Sequence, residues 1–182
     1  MENDTFYLRI FTQEDAFALL AFELRNRDYF KQFTFLKSDE YYTIENIKIV
    51  IDRYIRLKNQ AEMERFGIFL KIDDRLIGMI ALNDILPPLK SAYVGYQIDQ
   101  AYANRGYTTQ ALALIIDYAF NTLDLHRLEA GVMPANIGSI KVLEKNGFIK
   151  EGLVRKNVKI NGRWEDHYLY GLLNPKDELL VE

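Results

Sequence analysis

The sequence contains no cysteine. That absence excludes disulfides, thiolate nucleophiles and thiolate metal sites together, and it fits a reducing, cytoplasmic setting. Histidine is scarce: His126 and His167 are too few and too far apart in the chain to suggest a metal site, so no metal is expected. Neither G-x-x-x-x-G-K-[ST] nor G-x-G-x-x-G occurs, which removes the signatures of P-loop nucleotide hydrolysis and of a Rossmann dinucleotide site. No apolar run approaches the ~20 residues that cross a bilayer. The start, MENDTFYLRI, lacks the basic end and apolar stretch of a signal peptide, so no membrane partner is expected. Charge of one sign is missing too: 23 Lys and Arg against 26 Asp and Glu leave a net −3, which offers nucleic acid no broad basic face. Repeats, low-complexity tracts and Gly/Ser linkers do not occur, so residues 1–182 are expected to form one domain.

What remains is an ordinary globular composition, 49% apolar and 27% charged, able to build a core without help. Residues 6–11 (FYLRIF) read as a first strand. Thr12 with Asp15 three positions later reads as a capping-box start for a helix through about Asn26. Thr43 caps a second helix, in which Ile44, Ile47, Ile51, Tyr54 and Ile55 recur at helical spacing. FGIFLKI (66–72) and LIGMIALN (76–83), joined by Asp73-Asp74-Arg75, predict an antiparallel hairpin that Pro87-Pro88 ends. SAYVGYQI (91–98) has the aromatic and β-branched content of a central strand. The helix after it carries Ala111, Leu112, Ile115, Ile116, Ala119 and Phe120 on one face. A strand at 127–133, a short helix from about Ile137 to Asn146, and a hairpin about Asn161-Gly162 complete the pattern. The order, β-α-α-β-β-β-α-β-α-β-β, predicts a mixed sheet with helices on its faces.

Two stretches carry chemistry. In NRGYTTQAL (104–112) a strand runs through a single glycine into a helix, which aims backbone N–H groups and a helix amino end at one point and so favours an anion. An ordinary strand-to-helix turn explains the same residues. In MPANIGSIKVLEKNGF (133–148), Asn136 is a good N-cap and Gly147 suits the left-handed C′ position, with Phe148 folding back on Leu143. Ser139 shares a face with Val142 and Leu143, so its hydroxyl points toward the sheet and needs a partner or a task.

Together, A-N-R-G-Y-T (103–108) and N-x-x-S-x-x-V-L-x-x-x-G-F (Asn136 to Phe148) resemble the GNAT superfamily of acetyl-CoA-dependent N-acetyltransferases. Along nearly the whole chain, the sequence is similar to the branch that acetylates ribosomal-protein alanine. The resemblance implies an α+β fold: a mostly antiparallel twisted sheet of about seven strands, splayed between strands 4 and 5, with helices on both faces. It also implies acetyl-CoA as cosubstrate. The backbone of Arg105, Gly106, Tyr107, Thr108 and Thr109 would receive its pyrophosphate, and Tyr96, Gln97 and Ile98 would pair with the pantetheine arm. Asn136 and Ser139 would face the pantetheine and thiol end. Several positions depart from the family pattern. Ala103 and Thr108 replace residues more usual in the loop, so phosphate binding would rest on main chain. Leu143 stands where many members have the tyrosine that protonates the leaving thiolate, and the resemblance to the ribosomal-protein branch implies that Ser139 serves instead as the thiol's hydrogen-bond donor. Val158 stands where some members of the branch place a glutamate base.

The expected reaction is acetyl transfer to a primary amine, most simply the N-terminal α-amine of a protein. Its pKa near ~7.7–8 leaves much of it neutral, whereas a lysine near ~10.4 is almost wholly charged. A carboxylate or a water chain would suffice as base; Glu165, Asp166 and Asp28 are the candidates, with Glu165 taken as the catalytic one, and His167 is expected to be structural. Arg25, Asn26, Tyr29 and Phe30 are candidates for the acceptor cleft. Two other readings stay open. One is a small-molecule amine acetyltransferase; the other, encouraged by Ala103, Leu143 and Val158, is a coenzyme A-binding regulator without turnover. Either a monomer or a homodimer is compatible with the sequence.

Overall fold

The computed structural model describes residues 1–178. In chain order the strands and helices are β1 (Phe6–Ile10), α1 (Ala16–Arg25), α2 (Arg27–Phe30), α3 (Ile44–Asn59), β2 (Glu64–Leu70), β3 (Leu76–Leu86), β4 (Ser91–Ile98), α4 (Tyr107–Asn121), β5 (Arg127–Val132), α5 (Ile137–Lys145), β6 (Ile149–Ile160), β7 (Arg163–Leu173) and α6 (Pro175–Glu178). The fold is α+β, as expected. Its seven described strands make one sheet in the order β1-β2-β3-β4-β5-β7-β6.

Every neighbouring pair in that sheet is antiparallel except β4 and β5. These two run parallel and pair only from Ser91–Tyr93 to Arg127–Glu129. On its other edge β4 stays paired with β3 as far as Ile98 opposite Gly78. Beyond Tyr93 the edge of β4 that faced β5 is therefore released, and the sheet opens as a wedge. The expected splay lies here.

Each face of the sheet has its own core. On one, Ile80, Leu82 and Leu128 pack with Ala111, Leu112 and Ile115 of α4 and Leu143 of α5. On the other, Phe69, Leu76 and Met79 pack with Leu19 and Phe22 of α1 and Ile47 and Ile51 of α3. Fully buried side chains such as Ile47 and Ile51 contribute about 1.5–3 kcal/mol each to stability. The apolar stripes read from helical spacing thus face the sheet, and alternate strand residues serve opposite faces.

Differences from the sequence reading sit at element ends. The helix expected from Thr12 to Asn26 opens as a 3-10 turn at Gln13–Asp15. There the Asp15 carboxylate takes both guanidinium N–H groups of Arg9 at 2.6 Å and the Thr12 amide at 2.8 Å. The first hairpin sits two residues earlier on its first strand than expected, and β3 runs on to Leu86 through an irregularity after Asn83. Asn161 and Gly162, with φ of 48° and 86°, have the left-handed conformations that a two-residue turn needs. α5 ends as predicted: Phe148 N–H donates to Leu143 C=O and Gly147 N–H to Glu144 C=O, the Schellman pattern, with Gly147 at φ 81°.

Two residues at the end of α1 tie it to the chain leaving β4. Arg25 pairs with the Asp99 carboxylate and donates to the Leu76 carbonyl at 2.5 Å. Asn26, 1% exposed, donates to the Phe22 carbonyl and accepts from the Gln100 amide, each at 2.9 Å. The Asn26 side chain thus closes the last turn of α1 through its amide N–H and joins that turn to the chain after β4 through its amide oxygen. Asn26→Ala leaves a buried carbonyl and a partly buried N–H without partners, and we expect a loss of about 1–3 kcal/mol in urea denaturation; a loss under about 0.5 kcal/mol contradicts the tie.

Candidate active site

A cleft of about 270 Å³ opens where β4 leaves β5, between the turn that starts α4 and the first turns of α5. β4 lines it with Tyr96, Gln97 and Ile98. The next wall is the loop, whose backbone reverses through Asn104 at φ 61° and Gly106 at φ 83°, the latter capping α4. Among the described residues no group accepts a hydrogen bond from the amides of residues 104–109; the first helical bond there runs from Gln110 N–H to Gly106 C=O. Such a row of free N–H groups at a helix start carries the positive end of the helix dipole. Gly106, Tyr107, Thr108 and Thr109 line the cleft. Arg105 does not: it is exposed, with its guanidinium 5.6 Å from the Tyr102 ring centre.

The opposite wall is α5. Asn136 caps it by accepting the Ser139 amide at 3.1 Å, and both residues line the cleft. The Ser139 hydroxyl meets the Tyr96 hydroxyl at 2.9 Å, which supplies the partner that its sheet-facing position called for. The Tyr96 hydroxyl has two acceptors in reach, Ser139 Oγ at 2.9 Å and the Ser139 carbonyl at 3.2 Å; when its hydrogen goes to Oγ, the serine O–H is free to point into the cleft. Burial pushes the Tyr96 phenol up, only partly offset by the Ser139 bond, to about 12. Tyr96 is therefore protonated at neutral pH. Leu143, 1% exposed, faces the core and not the cleft. A phenol does stand beside the start of α5, but β4 delivers it.

The remaining predicted residues are split. Tyr29 and Phe30 line the cleft, joined by Phe33 and Thr34 from the segment after α2. Arg25 and Asn26 line neither cleft, because Asp99, Leu76, Phe22 and Gln100 occupy their polar groups. Glu165 also lies outside both clefts, on β7 opposite Val158, with Arg163 3.9 Å away. Asp166 accepts the Lys156 amide at 2.7 Å where β6 is irregular, and exposed Asp28 pairs with Lys31. His167, on β7 opposite Val154, is away from both clefts as well. Lys141 and Lys145 line the first cleft and were missed by the sequence reading; their spacing of three and seven from Gly138 was the available signal.

A second cleft, of about 510 Å³, lies on the other side of β4, toward α3. It shares Thr34, Tyr96 and Gln97 with the first. The two clefts therefore meet at the released part of β4. Together they offer one long substrate room for a phosphate-bearing donor and room for an acceptor reaching the same strand from the opposite face.

This is the arrangement of a group-transfer enzyme, and the family described as the acetyltransferase (GNAT) domain matches residues 5–149. The chain belongs to that family and is an acetyl-CoA-dependent N-acetyltransferase. It is 48% identical over 179 residues to the probable N-acetyltransferase YjcK of Bacillus subtilis, covering 98% of this chain and 99% of that one. The ribosomal-protein-S5-alanine acetyltransferase of Vibrio fischeri superposes with a TM-score of 0.91 at 30% identity over 96% of each chain. Mycobacterium smegmatis RimJ in complex with CoA-disulfide superposes at 0.88 with 26% identity, over 97% of this chain and 84% of that one.

The Arg25–Asp99 tie at the cleft's edge also makes stability depend on pH. Burial pushes the Asp99 carboxyl up, but the bonds from Arg25 and the Ala101 amide outweigh it, and the net shift is downward. Asp15, held by Arg9, is lowered for the same reasons. A carboxyl lowered on folding contributes stability that is present above its unfolded value, near ~3.9, and is lost as pH falls through the folded one. We expect urea midpoints to fall below about pH 4, and Asp99→Asn to flatten that decline; an unchanged slope removes Asp99 from it.

Proposed function

We propose that this N-acetyltransferase acts on the N-terminal α-amine of a protein, in the manner of the ribosomal-protein-alanine enzymes. One observation carries the reading: among the described residues lining the two clefts there is no aspartate, glutamate or histidine. A lysine amine near ~10.4 would need a base to become a nucleophile, whereas an α-amine near ~7.7–8 needs little. Glu165 is too removed from both clefts to be carried forward as that base.

In this reading the first cleft holds acetyl-CoA. The free amides from Arg105 to Thr109 take the pyrophosphate, and Lys141 and Lys145 add positive charge from α5 on the opposite wall. The released edge of β4 at Tyr96, Gln97 and Ile98 pairs with the pantetheine amides, as a strand pairs with a sheet edge. Asn136 and Ser139 face the thioester end, while Tyr29 and Phe30 close the cleft on the acceptor's side. Attack joins the amine nitrogen to the acetyl carbon and breaks the carbon–sulfur bond, and the sulfur leaves with its electron pair. The proton given up by nitrogen returns to sulfur through solvent.

The Tyr96–Ser139 pair serves the leaving sulfur with a hydrogen bond, not a proton. A phenol pushed up to about 12 is a weaker acid than an alkyl thiol near ~8.5, so full transfer to the thiolate runs uphill. Donation from Ser139, with Tyr96 donating to Ser139 in turn, stabilises the developing thiolate without that cost.

Two experiments test these statements. Peptides beginning with Ala or Ser are screened against free polyamines, amino sugars and lysine side-chain amines with acetyl-CoA. Brisk turnover of the peptides is expected; turnover confined to small amines would refute the α-amine reading. Ser139→Ala is expected to lower kcat by about 10- to 100-fold while acetyl-CoA affinity stays within about twofold. An unaltered kcat takes Ser139 out of the mechanism.

A further inference from the structure

The second cleft has a chemical bias of its own. Lys37, Arg53 and Arg65 line it, and among the described residues it has no acidic lining residue. Lys37 is neutralised by Glu23, a carboxylate with a 2% exposed side chain that accepts from it at 2.6 Å and from the Tyr41 hydroxyl at 3.1 Å. Arg53 and Arg65 have no carboxylate within ion-pair reach among the described residues.

Arg65 is the informative one. It is half-buried on β2, and its guanidinium lies 4.7 Å from the Tyr54 ring centre. Its donors reach only neutral acceptors at long range, the Tyr54 hydroxyl and the Asn83 side-chain oxygen, both at 3.2 Å. Its Nε is buried with no partner. A cation that has surrendered water for weak neutral contacts carries an unmet demand for an anion. A guanidinium with an unused N–H edge fits a carboxylate, which it can take through two parallel bonds. The rest of the lining, with Phe35, Tyr41, Met63 and Met79, suits an apolar neighbour to that carboxylate.

We propose that the second cleft recognises an acceptor amine that also bears a carboxylate, which Arg65 holds while Arg53 draws it in from the exposed face of α3. The inference rests on the acetyl-transfer reading above and narrows its acceptor. The anion has two sources, an acidic side chain close to a peptide's N-terminus or the carboxylate of a small amino acid. The amine then lies toward Tyr96 and Gln97, where the two clefts meet.

The test compares C-terminally amidated peptides beginning Ala-Glu and Ala-Gln, along with free amino acids, as acceptors. For the wild type, kcat/KM is expected to be at least about tenfold higher for Ala-Glu than for Ala-Gln, and Arg65→Met brings that ratio close to one. Arg53→Gln, at an exposed position where folding is not at stake, lowers it about threefold. If the free amino acids outperform both peptides, and lose that lead in Arg65→Met, the small-molecule source is selected. Equal use of Ala-Glu and Ala-Gln, with no advantage for a free amino acid, overturns the proposal. Calorimetric titration of the N-acetylated peptides with coenzyme A present separates it from the reading beneath it. Selective binding of the acidic product without any turnover keeps the site and overturns only the α-amine reaction, and unselective binding overturns the site.

Discussion

After Tyr93, strand β4 keeps one neighbour and loses the other, and the rest of the site is arranged around that loss. A strand interior normally has both edges satisfied, because buried peptide groups without partners are costly. Here one edge of residues 94–98 faces a gap instead. The gap is stable because the chain on either side of it is fixed. β3 holds the inner edge, and Arg25 and Asn26 clamp Asp99 and Gln100 just beyond the strand's end. With those residues held, the loop has little choice but to turn through Asn104 and Gly106 and begin α4 with its amides toward the gap.

The electrostatics follow the same division. One side of β4 gathers the amino end of α4 with Lys141 and Lys145, while the other gathers Arg53 and Arg65. The hydroxyls of Tyr96 and Ser139 stand at the boundary. Acidic and imidazole side chains are kept elsewhere: Glu23 in its bonds to Lys37 and Tyr41, Asp99 with Arg25, Asp166 in the β6–β7 hairpin. A room lined in this way attracts anions and leaves proton removal to the acceptor's own basicity. In the proposed reaction that restriction favours amines already neutral near physiological pH.

Much of the fold was legible because it depends on local rules. The 3.6-residue recurrence in α3 and α4, the cap at Asn136, the Schellman ending at Gly147 and the Asn161-Gly162 turn are each decided within a few residues. Family membership was legible for a related reason, since the glycine loop and the Asn136-to-Phe148 helix are each short contiguous stretches, both inside the residues that the family matches. The site was legible only in part. Arg25 and Asn26 looked like a cleft wall because polar side chains near aromatics suit one. Their real partners, Asp99 and Gln100, lie more than seventy positions away, and no periodicity reports that pairing. Glu165 was a reasonable base by residue type alone, yet the long β6–β7 hairpin carries it away from both clefts.

Tyr96 shows the boundary between the two kinds of information most clearly. Residue types and their spacing were enough to place a strand at 91–98, a glycine-led helix after it, and a hydroxyl on the sheet-facing side of α5, because backbone geometry and side-chain periodicity act over short range. It took the packed chain to show that this hydroxyl meets the phenol of Tyr96, that Leu143 is spent in the core, and that Arg65 is half-buried without a counter-charge. Those facts depend on which elements the sheet order brings together across tens of residues. Contacts of that range arise from packing the whole chain, and no local pattern encodes them.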